Sequence, residues 1–452
     1  MVRFLFFYLF ILIFFGSAFG INVTEVWELN SSNAELSGRF GYSVDISGNY
    51  VVIGAYDENG PLNGSGRVHI FKRNVSDDSF YEVDVLNSSN PEVDGKFGSN
   101  VNIDGNYIIV GAYDEDAPLS GSGRVYVFKR NITDDSFYEV DVLNSSNPKA
   151  SGSFGLALGL NGDYIVVGAY FEDGGVSQGG RAYIFKRNVS DDSFYEIAVL
   201  NSSNPELGGR FGYSVDISGN YVVIGAQLED APLTNSGSVY VFKRNVSDDS
   251  FYQVAVLNSS NPKSSGWFGS KVNMEGNYIV VGAQNENAIL SSAGRAYVFK
   301  RNVSDDSFYE IAVLNSSNPK IGGGFGYSVG IVGDYVIVGA NNEDGPLSSN
   351  GRAYVFKRNT SDDSFYEVAV LNSSNAELGG NFGNSISIDG DYVIVGAHFE
   401  DAPLSSSGRA YVFKILDDIM ENVNKSRIFP LFGIFSFFLF FIFLIFGFGK
   451  VQ

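Results

Sequence analysis

The sequence contains no cysteine, so neither a disulfide framework nor a thiolate nucleophile or metal site can be built from it. It has only two histidines, His69 and His398, and they are not at metal-ligand spacing. Zinc and nucleophilic chemistry therefore have no candidate, and the chain reads as a non-enzyme. Basic residues are in the minority: 30 Lys and Arg against 51 Asp and Glu give a net charge of −21. That balance argues against a nucleic-acid partner and favours cations or basic surfaces. Helix formers are sparse while Val, Ile, Tyr and Phe are common, which is the composition of an all-β chain.

Long apolar runs stand only at the two ends. Residues 1–20 read as a secretory signal peptide, with Arg3 as its charge, Phe4 to Phe15 as its apolar core and Ala18-Phe19-Gly20 as a small-x-small cleavage site. Phe429 to Phe448 is uncharged and long enough to cross a bilayer. After a cleaved signal, this C-terminal transmembrane helix (429–448) is expected to leave residues 21–414 outside. Residues 415–428 then form a juxtamembrane linker, with apolar Ile415, Ile419, Met420 and Val423 suggesting a helix, and 449–452 a short cytoplasmic tail. A lipid-anchor signal would need a polar spacer, and none lies between Asn424 and Phe429. The expected product is a single-pass type I surface protein.

Between the ends the chain repeats. A Phe-Gly pair recurs at 40, 97, 154, 211, 268, 325 and 382, and a Gly-Ala pair follows each at 54, 111, 168, 225, 282, 339 and 396. A fixed period of 57 residues marks a repeat architecture. Within the first unit, Tyr42 to Ile46 alternates apolar and polar residues, the pattern of a strand with one buried face. Ser47-Gly48 makes a tight turn, and Tyr50 to Ile53 is apolar throughout, as in a strand buried on both faces. Arg67 to Lys72 and Phe80 to Leu86 supply two more strands. Four antiparallel strands per unit describe a blade, and seven units describe a seven-bladed β-propeller. The seventh unit stops at Lys414 without a fourth strand. Its missing piece stands at the other end, since residues 25–36 match residues 367–378. The N-terminal strand is thus expected to close the ring and leave no open edge.

These residues resemble the FG-GAP repeat, the unit of the propeller at the head of integrin alpha subunits; the matching stretches are Phe40-Gly41-Tyr-Ser-Val, Val52-Ile53-Gly54-Ala55 and Gly123 to Phe128. The resemblance implies an extracellular propeller for adhesion or ligand binding. Such repeats often carry a calcium loop between their first two strands. Here a short turn such as Asp45-Ile-Ser-Gly-Asn49 takes its place and cannot supply the six to eight oxygens calcium wants, so no metal site is carried over.

Two surfaces remain as candidates. The loops between second and third strands carry Asp57, Glu58, Asp114, Asp116, Glu172, Asp173, Glu229, Asp230, Glu286, Glu343, Asp344, Glu400 and Asp401, an acidic set expected on one face. It would take cations, a basic partner, or an extracellular protein or glycan ligand. The turn between third and fourth strands carries Asn-x-Ser/Thr acceptors at Asn74, Asn131, Asn188, Asn245, Asn302 and Asn359. A second series follows the fourth strand at Asn30, Asn87, Asn144, Asn201, Asn258, Asn315 and Asn372. The leading expectation is non-catalytic recognition or adhesion through the loop face. The alternatives are an extracellular hydrolase using loop carboxylates and a structural glycoprotein coat.

Overall fold

The alternating and all-apolar stretches of each unit become the inner and second strands of a blade. A computed structural model describes residues 21–416. The expected signal peptide, transmembrane helix and tail, and all of the linker beyond Leu416, lie outside the described residues. Among the described residues every regular element is a strand, and no helix is long and apolar enough to cross a membrane. Blade 1 consists of Ser43–Ser47, Tyr50–Ala55, Arg67–Arg73 and Phe80–Leu86, hydrogen-bonded in that order from the inner strand to the outer one. Six further four-stranded sheets repeat the plan, giving a seven-bladed propeller.

Blade 7 is completed as expected. Its strands Ile386–Asp389, Tyr392–Ala397 and Arg409–Leu416 are joined by Asn22–Leu29, which pairs as the outer strand. The third strand runs to Leu416 rather than stopping at Lys414, so Ile415 and Leu416 are sheet residues and not the start of a linker helix. Ile415 is buried, and its N–H donates to Asp391 O at 2.7 Å.

The all-apolar second strands have two buried faces because each blade packs against two others. Successive side chains of a strand point to opposite faces. Val52 accordingly joins a cluster with Phe97, Val101, Ile108 and Val110 of blade 2. Val51 and Ile53 join one with Tyr392, Ile394 and Val412 of blade 7. Burying such a side chain contributes roughly 1.5–3 kcal/mol.

The repeated Phe-Gly and Gly-Ala pairs prove to be one contact seen from two blades. Phe97 is fully buried, edge-on to Tyr126 and Phe128 of its own third strand at 5.4 and 6.1 Å. Gly98, at φ 89°, brings its carbonyl against Gly54 of the preceding blade. A Cβ on Gly54 would lie 1.9 Å from that oxygen. The ring closes on the same contact, Gly41 against Gly396.

At the opposite end, where the short turns lie, a charged latch joins each of blades 1 to 6 to the one before it. Asp135 of blade 2 accepts from Lys72 Nζ at 2.5 Å and Tyr50 Oη at 2.6 Å in blade 1, and pairs with Arg130 of its own blade at 3.2 Å. Asp78 makes the closing latch to Lys414 and Tyr392 of blade 7.

Candidate functional site

The acidic residues expected on the loop face divide into two groups. The glutamates are not on the surface: Glu58, Glu172, Glu229, Glu286, Glu343 and Glu400, together with Glu115, are fully buried. The loop folds back over each of them, as where Gly66 N–H donates to Glu58 O at 2.9 Å. In six blades the carboxylate accepts from a third-strand tyrosine, for example Tyr126 to Glu115 and Tyr240 to Glu229. That tyrosine accepts in turn from a serine of the preceding blade, Ser88 to Tyr126 at 2.8 Å and Ser202 to Tyr240 at 2.9 Å. These carboxyls therefore staple blade to blade and cannot act as exposed ligands. Burial pushes Glu229, Glu343 and Glu400 up to about 7 and raises Glu115, Glu172 and Glu286 as well. The second oxygen of these six has no partner, so a proton there would remove the charge that burial penalises.

The aspartates stay at the rim, but most of them shape loops. Asp116, Asp173, Asp230, Asp344 and Asp401 each accept the backbone N–H five residues on, at 2.7–2.9 Å. Asp173 and Asp344 also pair with Lys149 and Lys320 at 2.6 Å. Asp57 is bound to Lys96 at 2.6 Å and lies 3.8 Å from Arg39. Asp114 is exposed. The thirteen residues do not converge on one site, and among the described residues no group of three or more His, Cys, Asp or Glu is placed to hold a metal ion.

The two histidines have different surroundings. His69 is buried where the other blades carry the stapling tyrosine. Its Nδ1 lies 2.6 Å from Glu82 and its Nε2 3.0 Å from Glu58 and 3.3 Å from Ser31 Oγ. A serine, a histidine and a carboxylate in that order resemble a hydrolytic triad, but Nε2 is shared with Glu58. With both ring nitrogens facing carboxylates, the imidazole is held as a double donor and has no free base for Ser31. The net upward shift of His69 comes from these two glutamates, outweighing a burial that acts the other way. One stretch, Gly326-Tyr-Ser328-Val-Gly330, has nucleophile-elbow spacing. Ser328 lies within the inner strand Phe325–Val332, paired with Gly339 and not on a strand-to-helix turn, and donates to Gly383 O at 2.8 Å, so it is a structural hydroxyl.

His398 lies in a place the sequence did not single out. Two positions of the unit approach each other near the loop end of the central channel; the first lines it in every blade, and of the second only Gln284 does. One precedes the inner strand or opens it: Tyr42, Ser99, Leu156, Tyr213, Ser270, Tyr327 and Asn384. The other follows Gly-Ala: Tyr56, Tyr113, Tyr170, Gln227, Gln284, Asn341 and His398. The Tyr42 ring lies edge-on to Tyr56 at 4.3 Å and to His398 at 5.2 Å; Tyr170 meets Tyr213 at 5.2 Å. Arg39 lies over Phe399 at 3.9 Å and Arg210 over Phe171 at 5.1 Å, packing the mouth from outside.

From Tyr42, Tyr213 and Tyr327 a cavity of about 420 Å³ runs inward between the inner strands. Its walls need polar side chains because the inner edge of each sheet presents unpaired N–H groups to the channel. Asp45 accepts from Ile103 N–H at 2.7 Å, Asp216 from Met274 N–H at 2.6 Å, and Asn273 from Ile331 N–H at 2.8 Å, each across to the next blade. Burial raises Asp45 to about 6 and Asp216 to about 7, and lowers Lys271, whose ammonium lies near both.

At the mouth the phenols and His398 are neutral, with the Arg39 guanidinium close enough to help keep His398 so. Burial pushes Tyr42 well above its ordinary value and Tyr327 up to about 12, with the neighbouring tyrosines adding to both. Burial holds His398 down at about 3. Gln227, Asn341 and His398 are 2, 5 and 4% exposed, and Gln227 Oε1, Asn341 Oδ1 and His398 Nδ1 have no hydrogen-bond partner.

The glycan acceptors fall into two structural classes. In the turn series, Asn74 Oδ1 accepts from both the N–H and the hydroxyl of Ser76, at 3.1 and 2.8 Å. The same pair of bonds recurs at Asn131, Asn188, Asn245, Asn302 and Asn359. In the second series the asparagines are exposed apart from half-buried Asn372. There the third sequon residue is engaged elsewhere, as where Ser89 Oγ donates to Glu139 at 2.9 Å.

The profile of the FG-GAP repeat family matches seven segments, residues 23–71, 81–128, 137–185, 194–242, 251–299, 309–356 and 365–413. Each match begins in the outer strand of one blade and ends in the third strand of the next, the same one-strand offset that closes the ring. No curated protein matches the sequence. Solved structures of similar fold include a protein of Bacteroides fragilis NCTC 9343, provisionally described as a 6-phosphogluconolactonase, at 13% identity and TM-score 0.49, covering 73% of this chain and 84% of that one. A Bacteroides uniformis ATCC 8492 protein of the same provisional description has 13% identity, TM-score 0.50 and coverage of 73% and 88%. A Lactobacillus plantarum protein has 13% identity, TM-score 0.49 and coverage of 76% and 86%. At such identity the likeness is one of fold alone.

Proposed function

The chain belongs to the FG-GAP repeat family, and we propose that it is a non-catalytic recognition or adhesion protein that binds through the loop end of its propeller. One observation carries this reading. In units that otherwise repeat closely, the loop end changes from blade to blade, as at Arg39, Lys96, Ser153, Arg210, Trp267, Gly324 and Asn381, while the Asn-x-Ser/Thr-Asp-Asp-Ser turn at the opposite end hardly changes. The acidic rim then acts as a repulsive border to anions rather than as the binding surface.

The same reading makes the protein a cell-surface one. A cleaved signal over residues 1–20 and a spanning helix over 429–448 would hold the propeller outside, with N-linked glycans on its turn face. The test is binding of the full chain, displayed on a host cell, to intact cells and to a glycan panel, with calcium and with chelator. Saturable binding unaffected by chelator, and lost when the mouth is altered, is the expected result. No binding to any cell or glycan would overturn the reading.

A further inference from the structure

We propose that the central channel is a small-molecule site for a zwitterion of the amino-acid class, whose carboxylate meets Lys271 and whose ammonium faces Asp216 and Asp45. The site lies inside the ring, on the wall of the 420 Å³ cavity, and goes beyond recognition at the loop end.

Lys271 departs from the pattern of the inner strands. In four blades its position is a serine that donates across the joint to the next blade at 2.8 Å, as Ser214 does to Gly269 O. Lys271 replaces that hydroxyl with an ammonium and is the one basic residue lining the cavity. No described residue gives it a hydrogen bond or an ion pair; Asp216 and Asp45 act on it only through their charge. The joint between blades 5 and 6 therefore loses a hydrogen bond and gains a charge without a partner, which stability does not explain.

The nearby acids are engaged elsewhere. Asp216 of blade 4 lies against the strand of Lys271 and accepts from Ile217 N–H at 2.8 Å, Met274 N–H at 2.6 Å and Asn273 Nδ2 at 2.8 Å. Asp45 of blade 1 accepts from Ile103 N–H at 2.7 Å and from the Ser387 hydroxyl at 2.6 Å. Burial holds Lys271 below its ordinary value in spite of both acids, and burial raises the acids themselves. Groups of both signs are thus short of solvation in one cavity. Deeper in the channel, Asp104, Glu275 and Asp389 are each held by a turn N–H of the next blade and add negative charge. A simple anion on Lys271 would meet these acids, and a simple cation beside them would meet Lys271. A molecule with one charge of each sign satisfies both: its carboxylate accepts from the ammonium of Lys271, and its own ammonium takes the place of solvent beside Asp216 and Asp45. The cavity volume lies within the range of small-ligand sites.

The experiment titrates the full chain, purified in detergent, calorimetrically with the free amino acids. Acetate and propionate are the controls carrying only the negative charge, methylamine and ethylamine those carrying only the positive one. Two variants are compared. Lys271→Ser installs the serine of blades 1, 4, 6 and 7 at the position from which it donates to the next blade, so its thermal midpoint should not fall. Asp216→Asn keeps an acceptor oxygen for Met274 N–H, as Asn273 has for Ile331 N–H, and removes the charge. Saturable binding of at least one amino acid is expected, with the single-charge controls and both variants weaker by tenfold or more. Binding of no amino acid, a single-charge control that binds as tightly, or equal affinity in Lys271→Ser overturns the proposal.

Discussion

The two ends of this propeller are built from the same seven units and solve opposite problems. At the turn end blades 1 to 6 present the same latch of aspartate and arginine to the lysine and tyrosine of the blade before, partly exposed and ionised, as in Lys186–Asp249 at 2.5 Å with Arg244 at 2.8 Å. At the loop end the joining groups are buried glutamate, tyrosine and serine, and inside them the residues at the mouth differ from blade to blade. Stability is thus carried by repetition, and variation gathers toward the loop end and the channel, as at Arg39, Lys96, Ser153, Arg210, Trp267, Gly324 and Asn381. The lesson is that a repeat protein can diversify one ring of residues while leaving the interblade contacts alone.

Glycine substitutions at the two ends should separate them most sharply. In Gly225→Ala the new methyl would lie 2.0 Å from the carbonyl oxygen of Gly269 in the next blade. A loss of about 3 kcal/mol or more is expected, because backbone meets backbone and neither can rotate away. Gly219, in the turn of the same blade at φ 57°, faces open space, and Gly219→Ala should cost about 1–2 kcal/mol from the left-handed backbone alone. Denaturant melts of both variants make the comparison; equal losses would mean that the glycine contact does not hold the blades together.

The ends should also respond oppositely to pH. Glu229, Glu343 and Glu400 have folded values near 7, above the ordinary 4.5. The folded state then binds more protons than the unfolded one, so this stabilisation is full below 4.5 and is lost as pH rises through 7. Asp78, Asp192, Asp249 and Asp306 are held at about 2, below the ordinary 3.8, chiefly by the lysine of the preceding blade. Their contribution is present above 3.8 and is lost as pH falls through 2. A thermal midpoint that rises from pH 8 to pH 5 and falls from pH 4 to pH 2 is expected. Glu229→Gln/Glu343→Gln/Glu400→Gln should flatten the first slope and leave the second; a profile unchanged by that triple substitution would refute the assignment.

A smaller effect is expected from a single latch. Asp249→Asn leaves Lys186 and Arg244 in place with a neutral partner and should cost about 1 kcal/mol, less in high salt because the group is near solvent. The smallest concerns the glycans. The turn series, with Oδ1 already held by the hydroxyl two residues on, should be occupied more fully than the second series. Glycopeptide mass spectrometry of the chain expressed through the secretory pathway of a host cell reads this directly, and fuller occupancy at Asn87 than at Asn74 would reverse it. Single Asn→Gln changes in either series should shift stability by less than about 0.5 kcal/mol.

Much of the fold was legible because the repeat made it so. Phe40-Gly41 and Gly54-Ala55 announced the period, and the likeness of Glu25–Leu36 to Glu367–Leu378 announced ring closure. The end of the last strand was read short, at Lys414 rather than Leu416, because the missing outer-strand turn hid where pairing stops. The candidate site was less legible. An acidic residue in a polar loop looks exposed, yet Glu229 is folded under its own loop onto Tyr240 while its neighbour Asp230 stays outside. Nothing local distinguishes the two, since the difference arises from a tyrosine ten or eleven residues later and a serine from another blade.

Composition, period and strand pattern by themselves determined an all-β ring of seven blades, because each depends on residues close in the chain and repeated seven times. The tertiary structure alone decided which carboxyls are stapled inside, which glycines touch, and that Tyr42, Tyr213, Tyr327 and His398 share one mouth. Those residues lie on four different blades, and only closing the ring brings them together, since no periodicity within a unit encodes what faces it across the channel.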